Sequence, residues 1–117
     1  PNINRLAEAT RRAVAAWGLE TVAQGESEKS NSLTAALLPE GHDADAFRSV
    51  VLQHFNMSLG NGLGRLAGRA FRIGHLGDFN ELMLAGTLSG VEMGLAAAGI
   101  PHSKGGVQAA LDFLSEI

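Results

Sequence analysis

An arginine set among apolar residues and glycines, Ala70-Phe71-Arg72-Ile73-Gly74-His75-Leu76-Gly77-Asp78, is the feature of this 117-residue chain best suited to chemistry. A guanidinium holds a carboxylate through two parallel hydrogen bonds, which fixes orientation as well as charge. Phe71 and Ile73 alternate with Ala70 and Arg72, so a strand here sends the first pair into a core and the second out of the opposite face. Gly74 and Gly77 permit a tight turn and leave room for a small anion. Asp78, with Glu81 three residues on, has the spacing of a capping box that opens a helix. The expectation is an anion receptor in which Arg72 binds the ligand, with Gly74 and His75 lining the same cleft. The competing reading pairs Arg72 with an acid across the strands and gives His75 a structural role in the turn. The residues alone leave both open.

Residues 60–68, Gly-Asn-Gly-Leu-Gly-Arg-Leu-Ala-Gly, hold four glycines in nine positions. Gly62 and Gly64 are candidates to line the approach to Arg72. A phosphate-cradling loop would need a following Gly-Lys-Ser/Thr and a helix opening directly after it. Neither is present, so a long hairpin between two strands is the favoured reading.

Other chemistries find little support. His42, His54, His75 and His102 fall in no metal-ligand spacing, and the chain has no cysteine, which removes disulfides and thiolate sites. Lys29 lies in a polar stretch and Lys104 opens the last helix, so neither has the apolar surroundings of a Schiff-base nucleophile. No serine has a Gly-x-Ser-x-Gly context. A formal charge of −3, from 9 basic and 12 acidic residues, argues against general nucleic-acid binding. Residues 82–100 are long enough to span a membrane, but Glu92 sits in the middle and no basic flank follows, so the expected helix lies outside the bilayer.

The elements that must position Arg72 follow from periodicity. A helix is expected over 3–17, with Ile3, Leu6, Thr10, Ala13 and Trp17 on one face and Gly18 ending it. Short strands are expected at 19–23 and 32–38, the latter closed by Pro39. A second helix over 44–55 presents Phe47, Val50, Val51 and His54, and a strand at 57–59 pairs with one at 69–73. The third helix, 78–98, carries Gly86, Gly90 and Gly94 at four-residue steps, a groove expected to pack on the sheet. Gly99 and Pro101 stop it, and a last helix begins at Ser103. The result is an α+β fold: a small, mainly antiparallel sheet of three to four strands with helices on one face.

With these residues in place, the chain resembles the C-terminal small domain of class V pyridoxal-phosphate aminotransferases, proteins of fold type I. The likeness rests on Phe71-Arg72-Ile73-Gly74-His75-Leu76-Gly77-Asp78 and the glycine loop before it. Ser30-Asn31-Ser32-Leu33-Thr34-Ala35, Pro39-Glu40-Gly41-His42-Asp43-Ala44 and Gly105-Gly106-Val107-Gln108-Ala109-Ala110 are similar to the serine–glyoxylate branch, beside the alanine–glyoxylate enzymes. The resemblance implies transfer of an amino group from serine or alanine to glyoxylate, with pyridoxal 5'-phosphate as electron sink. It also implies that Arg72 binds the substrate carboxylate and that the full-length enzyme is a homodimer. The Schiff-base lysine and the phosphate ligands of that family lie upstream of the matched region, so residues 1–117 are expected to be inactive alone.

Two rival readings remain at this stage. One is a self-contained module that binds a small acid without chemistry. The other is a purely structural or dimerising domain in which the face of Gly86, Gly90 and Gly94 and the first helix meet another chain. The chain opens on proline, as if inside a helix, and is expected to be part of a longer polypeptide. Ser115-Glu116-Ile117 lacks the basic middle residue of a peroxisomal signal, so a cytoplasmic location is expected if residue 117 is the true end.

Overall fold

Alternation along residues 70–74 becomes a strand near the middle of one sheet. A computed structural model describes residues 2–22, 33–62, 64–74 and 80–117. In chain order the elements are α1 (Asn2–Trp17), β1 (Glu20–Val22), β2 (Leu33–Leu37), α2 (Ala44–Phe55), β3 (Gly60–Asn61), a 3-10 turn (Gly64–Leu66), β4 (Ala70–Gly74), α3 (Glu81–Ala97) and α4 (Gly106–Leu114). The strands form one antiparallel sheet in the order β1-β2-β4-β3. This is the expected α+β architecture.

Register assigns the two faces. Ala36 opposes Phe71 and Thr34 opposes Ile73, so these four share a face, and all are buried. Phe71 meets Phe47 of α2 with ring centroids 4.9 Å apart and planes tilted by 50°. Helix α1 lies against β1 and β2, and α2 against β3 and β4, while α3 and α4 pack on those two helices.

Local signals set the helix ends. Gly18, at φ 85°, ends α1, and the amides of Gly18 and Leu19 return to the Ala15 and Val14 carbonyls. The Asp43 carboxylate accepts from the Asp45 amide at 2.8 Å to open α2. Helix α3 opens later than the capping-box spacing suggested. Asn80, not Asp78, is its cap, its side-chain oxygen accepting from the Met83 amide at 2.9 Å, and Asp78 itself lies outside the described residues. Helix α4 also starts late. Ser103 gives its amide to the Trp17 carbonyl and Gly105 adopts φ 104°, so helical geometry cannot begin before Gly106.

Three further expectations are corrected. The strand placed at 57–59 is found at Gly60–Asn61, because Met57 and Leu59 turn to the helices instead of joining the ladder. His54 is exposed, since the last turn of α2 runs past the core that Phe47 and Val51 fill. The glycine face of α3 packs on α2 and not on the sheet. A Cβ at Gly94 would stand 2.6 Å from Val51 and 3.2 Å from Phe47, and one at Gly90 would stand 2.8 Å from Met57. Gly86 faces open space, so the three glycines do not form one free surface for a second chain.

The helical layer is tied together by Glu92. Its Oε1 accepts from the Trp17 indole at 2.8 Å and from the Val107 amide at 3.0 Å, and its Oε2 from the Gly105 amide at 3.4 Å. A carboxylate of α3 thus caps α4 and anchors the end of α1. Gly106 lets α4 approach, because a Cβ there would fall 2.6 Å from Trp17 Cδ1. Arg5 makes a second tie. It pairs with Glu81 at 3.4 Å, donates to the Leu114 carbonyl and to that of Glu116 at 3.2 Å, and lies over Phe113. Among the described residues no helix is long and apolar enough to cross a membrane.

Two measurements check this packing. Gly94→Ala forces a methyl into Val51 and is expected to cost about 1–3 kcal/mol in urea unfolding. Gly86→Ala meets nothing and should gain up to about 1 kcal/mol of helix propensity. The second concerns pH. Burial pushes the Glu92 carboxyl up, but the Trp17, Val107 and Gly105 donors and the charge of His102 outweigh it, leaving its pKa below the ordinary 4.5. A carboxyl depressed on folding contributes stability in full above its unfolded value and loses it as pH falls through the lower folded one. Glu92→Gln should therefore destabilise by about 1–3 kcal/mol near neutrality and by progressively less as pH falls through the lowered folded value of the native carboxyl, which a urea-unfolding series against pH measures.

Candidate functional site

Because Phe71 and Ile73 enter the core, Arg72 leaves on the face turned away from α1 and α2. Its cross-strand neighbours are Ala35 on β2 and Gly60 on β3, and Ala35 in turn opposes Val22 on β1. None of these is acidic, and among the described residues no carboxylate pairs with Arg72. Its Nε donates to the Asn61 carbonyl at 2.7 Å. The side chain is half-buried, lying flat beside the chain of β3.

The hairpin carrying β3 is held from below. Arg48 of α2 donates its Nε to the Leu59 carbonyl at 2.9 Å and pairs with Asp45 at 3.0 Å, so the residue before Gly60 is fixed to a helix. At the far end of the hairpin the Ala44 amide bonds the Gly68 carbonyl at 2.8 Å, and the Leu38 amide bonds the Arg69 carbonyl at 2.9 Å. Arg48 and Asp45 were not read from the sequence as contributors. Their i, i+3 spacing on one helix was the available signal.

The other candidates divide. Gly74 is the exposed last residue of β4, paired with Leu33, two residues beyond Arg72. Gly62 is buried, and a Cβ there would stand 2.8 Å from the Leu66 carbonyl carbon and 3.0 Å from the Ala70 oxygen. Gly64 starts the 3-10 turn at φ 57°. Both glycines thus shape the hairpin backbone: Gly62 by close approach, Gly64 by its left-handed angle. His75 and Gly77 lie outside the described residues, as does Lys29. The described lysine, Lys104, is exposed beside Ser103 on the helical side. Among the described residues no three His, Asp or Glu side chains gather to hold a metal.

Two clefts are formed by other described residues. A cleft of about 290 Å³ opens at the Leu37–Ala70 end of the sheet, the end opposite Gly74, between Glu20, Glu40, Pro39 and Arg69. A smaller one of about 90 Å³ lies between Asp45, Arg48 and Ser58. Arg72 lines neither. Among the described residues it is a half-buried cation on a strand row whose neighbours, Ala35 and Gly60, are small.

No family model matches the chain. Serine–glyoxylate aminotransferase of Methylorubrum extorquens is 48% identical over 112 residues, covering 95% of this chain and 28% of that protein. The enzyme of the same name from Arabidopsis thaliana is 49% identical over 111 residues, covering 94% of this chain and 28% of that protein. The crystal structure of ureidoglycine–glyoxylate aminotransferase from Bacillus subtilis superimposes with a TM-score of 0.87 at 26% identity, over 98% of this chain and 30% of that one. The chain thus spans little more than a quarter of the curated relatives it matches. Sequence and fold agree across nearly all of its residues, and the chain belongs, as a segment of that length, to the family of the serine–glyoxylate aminotransferases.

Proposed function

We propose that residues 1–117 are the C-terminal small domain of a pyridoxal-phosphate transaminase that moves an amino group from serine or alanine to glyoxylate, and that Arg72 binds the carboxylate of both substrates. The observation carrying this reading is Arg72 itself. It is an arginine held on a rigid central strand, between Ala35 and Gly60, with no acid beside it among the described residues. A structural surface arginine would be expected to face a carboxylate across the strands, and neither cross-strand neighbour is one.

The chemistry divides between this segment and the remainder of the enzyme. Pyridoxal phosphate supplies the electron sink when bound. The described residues do not fit it: Lys104 is exposed on the helical side, away from Arg72's face, and no phosphate cradle stands beside Arg72. In this reading, as the family resemblance implies, the lysine and phosphate ligands belong to parts of the enzyme outside this segment, which is expected to be inactive by itself. The role of this segment is binding and orientation. Arg72 fixes the carboxylate that an amino acid and its 2-oxo acid share, so one cation serves both half-reactions. The hairpin and Gly74 leave room for it. A homodimer of the full-length chain would be the working form.

In the full-length enzyme, Arg72→Ala removes a charge-assisted pair worth about 1.5–3 kcal/mol, so KM for both the amino donor and glyoxylate should rise about 10- to 100-fold. Steady-state kinetics with each substrate varied in turn measures this. Unchanged KM for both would remove Arg72 from the site.

A further inference from the structure

Arg72 can present only part of its guanidinium, and the two-residue strand β3 decides which part. Taking the carboxylate-binding role of Arg72 as given, we propose that Gly60 and the Asn61 carbonyl are its positioning elements. They occupy the Nε edge of the guanidinium and leave the Nη1–Nη2 edge to receive the substrate carboxylate end-on.

Two observations place that edge. A guanidinium can grip a carboxylate either through Nε and one Nη or through its two Nη groups. The Nε hydrogen is spent on the Asn61 carbonyl at 2.7 Å. The same side of the group lies against Gly60, where a Cβ would stand 3.2 Å from Nε, 3.2 Å from Arg72 Cβ and 3.4 Å from Nη2. The Nε fork is thus turned into β3.

Glycine at position 60 is not a demand of the backbone. Its φ is outside the left-handed range adopted by Gly64 and Gly68 on the same hairpin. A strand position with ordinary angles normally favours a side chain, and glycine weakens it. Its neighbour therefore explains the choice, since a Cβ there would already press on the arginine at 3.2 Å and a larger side chain would displace the guanidinium. The carbonyl beside it is steadied as well, because Arg48 holds the Leu59 carbonyl at 2.9 Å from α2. On the other flank Ala35 is 4% exposed and offers only a methyl. The arginine is fenced by backbone on one side and by a short side chain on the other, and among the described residues nothing bonds its terminal edge.

The test uses the full-length holoenzyme with Gly60→Ala, Gly60→Val and Arg72→Ala, following kcat, KM for donor and for 2-oxo acid, and Tm. Valine suits a strand, so the fold should be kept while its branches push the guanidinium aside. Gly60→Val is expected to raise KM for both substrates by about tenfold, as a displaced binding group does, and Gly60→Ala by less. Tm and cofactor content should stay at the parent's values. The Ki of a simple monocarboxylate inhibitor should rise in parallel with KM. If Gly60→Val lowers Tm, the same comparison on Gly60→Ala decides. Unchanged KM in the Gly60 variants, with KM raised in Arg72→Ala, would overturn the positioning role and leave the carboxylate reading standing. Unchanged KM in all three would remove both.

Discussion

Phe71 is the constraint from which the candidate site follows. It is fully buried against Phe47, and its neighbour Ile73 is buried too, so β4 cannot rotate or slip by a residue without expelling both. A one-residue slip would also carry Arg72 into the core, where an unpaired guanidinium is prohibitively expensive. The direction of the Arg72 side chain is thereby secured by two apolar residues on the opposite face of the sheet. The helices matter to function in the same indirect way, by making the interior into which Phe71 and Ile73 must go.

Close approach of backbones is the second organising theme, and it serves different ends on the two sides of the sheet. Gly94 brings α3 against Val51, and Gly106 brings α4 onto Trp17, so the helical layer gains contact where a methyl would collide. At Gly60 the space kept clear is filled by a cation rather than by a neighbouring apolar group. Glu92 completes the helical side. One carboxylate satisfies an indole and two helix-start amides, three donors that would otherwise need partners at the junction of α1, α3 and α4.

Alternation at 70–74, the glycine ending α1 and the Gly99–Pro101 stop after α3 were legible because each is a local signal with a local cause. The places where the reading failed are those decided by tertiary partners. Met57 and Leu59 have the spacing of a strand, yet Met57 packs on Gly90 and Leu59 joins the core, so the ladder starts only at Gly60. His54 falls at the right helical offset, but the core ends one turn earlier. The role of Glu92 was invisible for the same reason: in the sequence it is a charge interrupting an apolar helix, and its partners lie 75, 13 and 15 residues away. The direction of Arg72 was legible because alternation alone gives it. The part played by Gly60 needed the register of β3 against β4, which no single stretch of sequence contains.

The openness of Arg72 bears on whether the segment could be a sensor complete in itself. An exposed ion pair in water contributes roughly 0–1 kcal/mol, because solvent screens it and competes for the same donors. The strong, orienting grip of a guanidinium on a carboxylate requires that water be excluded around it. One cleft lies at the far end of the sheet and another beside Arg48 and Ser58, and neither is lined by Arg72. Among the described residues Val22, Ala35, Arg72 and Gly60 form one cross-strand row, in which Ala35 is buried and Arg72 half-buried. Under the proposed reading, a tight grip by Arg72 needs enclosure that neither of these clefts supplies, which favours a composite site over a self-contained receptor.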